Sequence, residues 1–282
     1  MGVATQHIAT GRIQDSIWFQ VPNPVNSPRM RLFCFSYAGG NASAFRGWYK
    51  NMPSDVEICS VQLPGRGARF KEKSFTSLSD LLFALDSAFQ PYLDVPFAFF
   101  GHSMGAQVAF EFAKRLRDKR APQPEWLFVS GRRAPHLPQR RKTLHNLPED
   151  EFREEILKLD GTPAEAIENP ELMELVSPIL RADCQVIETW KTPDAEPLVV
   201  PIVACGGAQD EHVTIEELEN WSHLTKGPFE MRLFSGGHFY IHSATDSLLE
   251  CVASFIQQPP GSHSCWGSSN DQQAIPVARK LH

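Results

Sequence analysis

The chain has 282 residues, 42% of them hydrophobic and 21% charged, with a formal net charge of −6. That size and balance suit one large α/β domain with an insertion, or at most two domains, and a core of that size can hold a rigid site without disulfides or metal. An acidic balance excludes a broad nucleic-acid-binding surface, and no apolar run approaches the roughly 20 residues that span a bilayer.

The first residues, MGVATQHIATGRIQDS, lack the apolar stretch of a secretory signal, so a soluble cytoplasmic protein is expected. Residues 12–22 are expected to add an edge strand. Six near-continuous apolar runs then read as strands: 30–36 (MRLFCFS), 56–62, 96–101, 126–130 (WLFVS), 199–206 and 229–234. Apolar character without strict alternation means burial on both faces, as in a parallel sheet covered by helices. Helical patterns lie between them at 77–93, 104–119, 214–224 and 241–257, the alternation of βα units. The fold class is therefore α/β, a mostly parallel central sheet flanked by helices.

One stretch breaks the alternation. The region 147–190 is helical in pattern, reading LPEDEFREEILKL and then NPELMELVSPILRADCQVIETW. An insert of this length between strands reads as a helical lid over about 140–195. Within it Phe152, Ile156 and Leu159 recur at helical spacing, to line a pocket or to pack on the core. The domain is expected to span 12–257. Residues 258–282, rich in Pro, Gly, Ser and Gln, read as a disordered tail. The six cysteines Cys34, Cys59, Cys184, Cys205, Cys251 and Cys265 form no CxxC pair and no zinc spacing with histidine, and read as buried small hydrophobes.

Gly101-His102-Ser103-Met104-Gly105 matches G-x-S-x-G. The pattern alone is weak, arising by chance in a chain this long with probability roughly 0.1. Its context is specific: FAFF precedes it as a strand and AQVAFEFAKRL follows as a helix, the strand–turn–helix of the α/β-hydrolase nucleophile elbow. A serine hydroxyl needs a base, and the base an orienting acid, and in this fold the acid precedes the histidine in the chain. Asp210 follows the strand of 199–206, and His238 follows the strand of 229–234, so both lie at strand ends on the rim that carries Ser103. Glu211, His212 and His242 are competitors, and chain order with strand position selects Asp210 and His238. The oxyanion hole needs two backbone N–H groups. Met104, next to the serine, supplies one, and Ala38 in the loop SYAGGNASAF is the candidate for the other.

The blocks FCFSYAGGNASAF with Trp48, VQLPGRGARF, FFGHSMGAQVAFEFA, ILRADCQVIETW, GGAQDEHV and SGGHFYIH resemble type II thioesterases, the stand-alone hydrolases that accompany nonribosomal peptide and polyketide synthetases. The resemblance runs from about Trp18 to Phe255, with Ser36 standing where the family more often has proline. It implies a lid, the triad Ser103, Asp210 and His238, and oxyanion donors Ala38 and Met104. It also implies an acyl-enzyme mechanism without a cofactor, and a substrate acyl group on the phosphopantetheine arm of an acyl or peptidyl carrier protein. The expected role is removal of aberrant acyl groups by a cytoplasmic monomer that binds neither nucleic acid nor membrane. A medium-chain fatty acyl thioesterase, an acyltransferase and a non-catalytic carrier-protein binder remain as alternatives. Arg132, Arg133, Arg140, Arg141 and Lys142 cluster after the strand of 126–130, and Arg66, Arg69 and Lys71 follow the strand of 56–62. Arginine forks pair well with carboxylate and phosphate, so Arg132, Arg133, Arg140 and Arg141 are candidates for carrier docking. The competing readings are local ion pairs with Glu149, Asp150 or Glu151, and a structural role for Arg66.

Overall fold

A computed structural model describes residues 12–140, 142–159, 169–192 and 196–258. The apolar run from Phe97 forms β4 (Phe97–His102) at the middle of a seven-stranded sheet. Its parallel neighbours are β2 (Met30–Phe35) and β5 (Trp126–Ser130), in register Arg31 with Phe97 and Ala98 with Trp126. With β1 (Phe19–Gln20), β3 (Val56–Val61), β6 (Ile202–Gly207) and β7 (Phe229–Phe234), the order across the sheet is β1-β3-β2-β4-β5-β6-β7. Every pairing is parallel except β1 with β3.

Strand alternation divides the core in two. Phe33, Phe35, Phe97, Phe99, Leu127 and Val129 face one side, where α1 (Leu78–Phe89) and α2 (Met104–Asp118) pack on them. Leu32, Cys34, Ala98, Phe100, Trp126 and Phe128 face the other, under Trp48 and α7 (Thr245–Ile256). The first layer is rich in aromatic rings: Phe33, Phe89, Phe97, Phe99 and Phe112 are each at most 1% exposed. Cys34, Cys59 and Cys205 sit in this core, where burial pushes their thiols well above the ordinary value.

Some elements differ from expectation at their ends. The edge strand β1 is only two residues long, because Pro22 and Pro24 follow and cannot donate to the ladder. Strand β6 starts at Ile202 and not at residue 199, since Pro201 lacks an N–H and Val199 is 69% exposed. The helical pattern 214–224 becomes α5 (Ile215–Glu219), with a capping box at Thr214 and Glu217, followed by a 3-10 turn over Asn220–Leu224. The pattern 241–257 breaks at Ala244 into α6 (Tyr240–Ser243) and α7. There Thr245 Oγ1 donates to Ile241 O at 2.7 Å, competing for the carbonyl that a continuous helix would use.

Between β5 and β6 the chain forms α3 (Glu149–Leu157) and α4 (Pro170–Glu188). Asn169 caps α4 by accepting from Leu172 N, and Pro170 occupies its first turn, where no N–H is required. The insertion has its own small core of Phe152, Ile156, Met173, Leu180 and Cys184, with Leu159 packed on it. The stripe Phe152, Ile156 and Leu159 therefore holds α3 to α4. Arg181 lies 4.1 Å over the Phe152 ring and pairs with Glu149, which also takes Arg153. The tail beyond residue 258, with Cys265, lies outside the described residues.

Candidate active site

Ser103 sits between β4 and α2 with φ 54° and ψ −113°, a backbone conformation that a non-glycine residue adopts only under the compulsion of its surroundings. Its N–H donates to Ser130 O at 2.8 Å, and its carbonyl accepts from Ala106 N at 3.1 Å. The glycines of the motif are required by contact. A Cβ on Gly101 would stand 2.2 Å from Gly105 O, and one on Gly105 would stand 2.1 Å from Phe35 O. The elbow thus brings α2 against β2 and β4 at backbone distance. It places the serine at the carboxyl end of the sheet, over a helix N-terminus.

Asp210 follows β6 and His238 follows β7, and the two side chains meet. Asp210 Oδ2 lies 2.8 Å from His238 Nδ1. Asp210 Oδ1 accepts from His212 N at 2.7 Å and Val213 N at 3.2 Å, and its side chain is 1% exposed. Burial pushes this carboxyl up, but the bond to His238, its charge and the two backbone N–H groups outweigh burial and hold it below the ordinary value. Glu211 is exposed, and His212 gives Asp210 its backbone N–H. His242 turns outward to Tyr37, whose Oη lies 3.1 Å from its Nε2. The His238 ring centroid is 5.2 Å from that of His102, the residue before Ser103, which sets His238 beside the elbow.

Met104 opens α2, where the first N–H groups have no partner within the helix. Ala38 lies in a turn closed by Gly40 N donating to Tyr37 O at 2.9 Å, with Gly39 at φ +74°. Ala38 thus follows the end of β2, and Met104 lies just past the end of β4. Arg66 and Arg69 are buried: Arg66 pairs with Asp183 on α4, and Arg69 pairs with Glu72 and stacks 4.1 Å over Trp18.

The arginines of the basic loop are paired within the fold, with residues distant in the chain and not with the expected neighbouring acids. Arg133 and Arg140 both pair with Glu217 at 3.0 Å, and Arg132 donates to Gln107. Arg141 lies outside the described residues. Glu217 is the N3 residue of the α5 capping box, so these arginines brace the loop carrying Asp210.

Sequence reading missed a buried polar chain beneath the site. His102 Nδ1 lies 2.8 Å from Ser130 Oγ, which lies 2.6 Å from Tyr240 Oη. Full burial, and then the nearby His238 and His242, push His102 well below its ordinary value of 6.5. His102 is therefore neutral in the fold and takes up a proton only on unfolding. A depressed histidine contributes stability that is present above pH 6.5 and lost as pH falls toward the folded value. Thermal stability is expected to fall below that pH with a slope of about 1.4 kcal/mol per pH unit from this group. Chemical denaturation across pH 5 to 7 (roughly the titration window of free histidine) checks this, since His102→Gln should flatten the slope. An equal slope in the variant would assign the pH dependence elsewhere.

A strained serine on a strand–helix elbow, with a buried carboxylate and a histidine joined at the ends of β6 and β7, defines a serine hydrolase of the α/β-hydrolase fold. A family model described as the thioesterase domain matches residues 30–257, and the chain belongs to that family. The thioesterase PikA5 of Streptomyces venezuelae is 38% identical over 82% of this chain and 82% of its own length. The structure of RedJ, a thioesterase from the prodiginine biosynthetic pathway in Streptomyces coelicolor, superposes with a TM-score of 0.76 at 38% identity, covering 81% of this chain and 91% of that one. A relative from Brevibacillus parabrevis, 41% identical over 87% of this chain and 94% of its own length, carries the name linear gramicidin dehydrogenase LgrE. The loop after β2 here does not suit a dinucleotide. It runs into 3-10 turns over Ala42–Phe45 and Trp48–Asn51 and not into the α-helix whose N-terminus would hold a pyrophosphate.

Proposed function

We propose that this enzyme hydrolyses acyl groups from the phosphopantetheine arm of acyl or peptidyl carrier proteins in nonribosomal peptide or polyketide assembly, clearing arms that carry aberrant groups. The Asp210–His238 bond beside the Ser103 elbow carries the reaction class. A thioester bond as the one cleaved is supported by the names borne by PikA5 and RedJ, each called a thioesterase.

In this reading His238 Nε2 takes the Ser103 proton as Oγ attacks the thioester carbonyl. The Ala38 and Met104 N–H groups hold the developing oxyanion. The tetrahedral intermediate collapses, the pantetheine thiolate leaves with the proton from His238, and an acyl-serine remains. Water then attacks, with His238 again the base, and releases the acid. Asp210 holds the imidazole with its proton on Nδ1. These groups complete the cycle without a cofactor. The insertion of α3 and α4 stands as a lid over the site. No helix among the described residues is long and apolar enough to cross a membrane.

The test is a panel of short, medium and amino acyl groups, each offered on carrier proteins, on coenzyme A and on a small thiol mimic. The expected result is faster turnover of carrier-bound acyl groups than of the same groups on the mimic, with free acid as product. A product ester or amide in the presence of an alcohol or amine would make the enzyme an acyltransferase. Equal rates on all three carriers would remove the carrier protein from the proposal.

A further inference from the structure

Asp183 stands on α4, within the insertion, and its carboxylate reaches two segments far away in the chain. Oδ1 accepts from Arg66 Nη2 at 2.7 Å, and Oδ2 accepts from Arg66 Nη1 at 2.6 Å and from Gly39 N at 2.7 Å. Arg66 Nη1 also approaches Gly40 O at 3.3 Å. The two side chains are 4% and 3% exposed. Leu180, one turn before Asp183, seats on the same place: a Cβ on Gly39 would lie 2.6 Å from Leu180 Cδ2. One face of α4 therefore holds the turn of residues 37–40 by a hydrogen bond, by Arg66 and by packing.

Such a pair adds little stability over apolar side chains of equal volume, because desolvating two charges offsets their attraction. Breaking it is costly, since either charge would be left buried alone. Its effect is to couple parts. The helix cannot lift from the turn without releasing Gly39 N–H and rehydrating both charges. The peptide before the one held by Asp183 carries the Ala38 N–H.

We propose that Asp183 is a positioning residue for the oxyanion donor: with Arg66 it fixes the turn that carries Ala38 N–H, so that the oxyanion hole is assembled only while α4 is seated. This rests on the reading of Ala38 as a donor given above. Seating of the insertion and competence of the site are then one event. An acyl chain that wedges α4 away slows its own hydrolysis.

The test uses an activated aryl ester as substrate, whose hydrolysis needs the serine, the histidine and the oxyanion donors but no carrier arm, so that a failure of the carrier-protein reading leaves it intact. The double variant Arg66→Met with Asp183→Leu removes both charges and keeps apolar volume, and takes the acceptor from Gly39 N–H. The expected result is a folded protein with kcat per titrated serine about 100-fold lower and KM unchanged, as for an interaction made in the transition state. Asp183→Asn keeps an acceptor for Gly39 and should lose less. A merely structural role would lower Tm and the fraction of active enzyme while leaving kcat per titrated site intact, and that result would overturn the proposal. If neither variant folds, amide exchange on the unaltered protein decides. Gly39 and the α4 amides should open with one free energy, and independent opening of the turn would overturn the coupling.

Discussion

Asp210→Asn is expected to lower kcat on the order of 10⁴-fold with little change in fold, and Ser103→Ala to lower it about 10⁶-fold. The reason for the first lies in what surrounds the carboxylate. Oδ1 is fixed by two backbone donors, His212 N and Val213 N, while Oδ2 faces His238 Nδ1. In asparagine the amide oxygen must stay with the two N–H groups, so the NH₂ turns to His238. Nδ1 then has to accept, which puts the ring proton on Nε2, the atom that must take the serine proton. Ser103→Ala keeps a Cβ, so the strain at φ 54° is unchanged and only the nucleophile is lost. Steady-state rates on a small acyl thioester, with thermal melts as control, check both. Near-normal turnover in Asp210→Asn, with Glu211→Gln inactive, would move the acid to Glu211.

Gly105→Ala is expected to cost at least about 3 kcal/mol, a large part of the 5–15 kcal/mol by which a domain is typically stable. The added Cβ would lie 2.1 Å from Phe35 O and 2.5 Å from Phe35 C, both backbone atoms of the inner strand β2. Neither can swing aside as a side chain would, so α2 must lift from the sheet and take Met104 N–H with it. Tm should fall by on the order of 10 °C, and the protein that remains folded should turn over slowly. Gly47→Ala is the control, because nothing lies within 4 Å of its added Cβ, and it should be near neutral. A Gly105→Ala protein with unchanged Tm and turnover would show that helix and strand have slack that the contact distances deny.

Both predictions concern features legible in the chain before folding is considered. The elbow announces itself through an apolar strand, a turn that demands glycine and a helix start, all within a span of local sequence. The pairing of Asp210 with His238 is legible because a parallel sheet brings the ends of its strands to one rim, so chain order with a strand end predicts proximity. By the same logic Ala38 follows β2 and Met104 begins α2. The strand cores agreed with expectation because uninterrupted apolar runs such as Phe97-Ala98-Phe99-Phe100 have no other stable place than between helices. The ends agreed less well, because Pro201, Pro22 and Thr245 act through single hydrogen bonds that hydrophobic pattern does not register.

The pairings between distant charges were decided only by the tertiary structure. Arg66 in PGRG admits a structural role from sequence, yet nothing periodic connects it to Asp183 in LRADC, 117 residues away. Likewise, proximity in sequence offers the basic loop Glu149, Asp150 or Glu151 as partners, whereas the fold gives Arg133 and Arg140 Glu217 and gives Glu149 to Arg181. The chain His102, Ser130 and Tyr240 assembles from the ends of β4 and β5 and the start of α6. Hydrophobic burial is non-directional and repeats along each element, so sequence pattern reveals it. A buried charge or hydroxyl instead requires one partner at one distance, and which partner stands there is settled only when the helices and strands have taken their places.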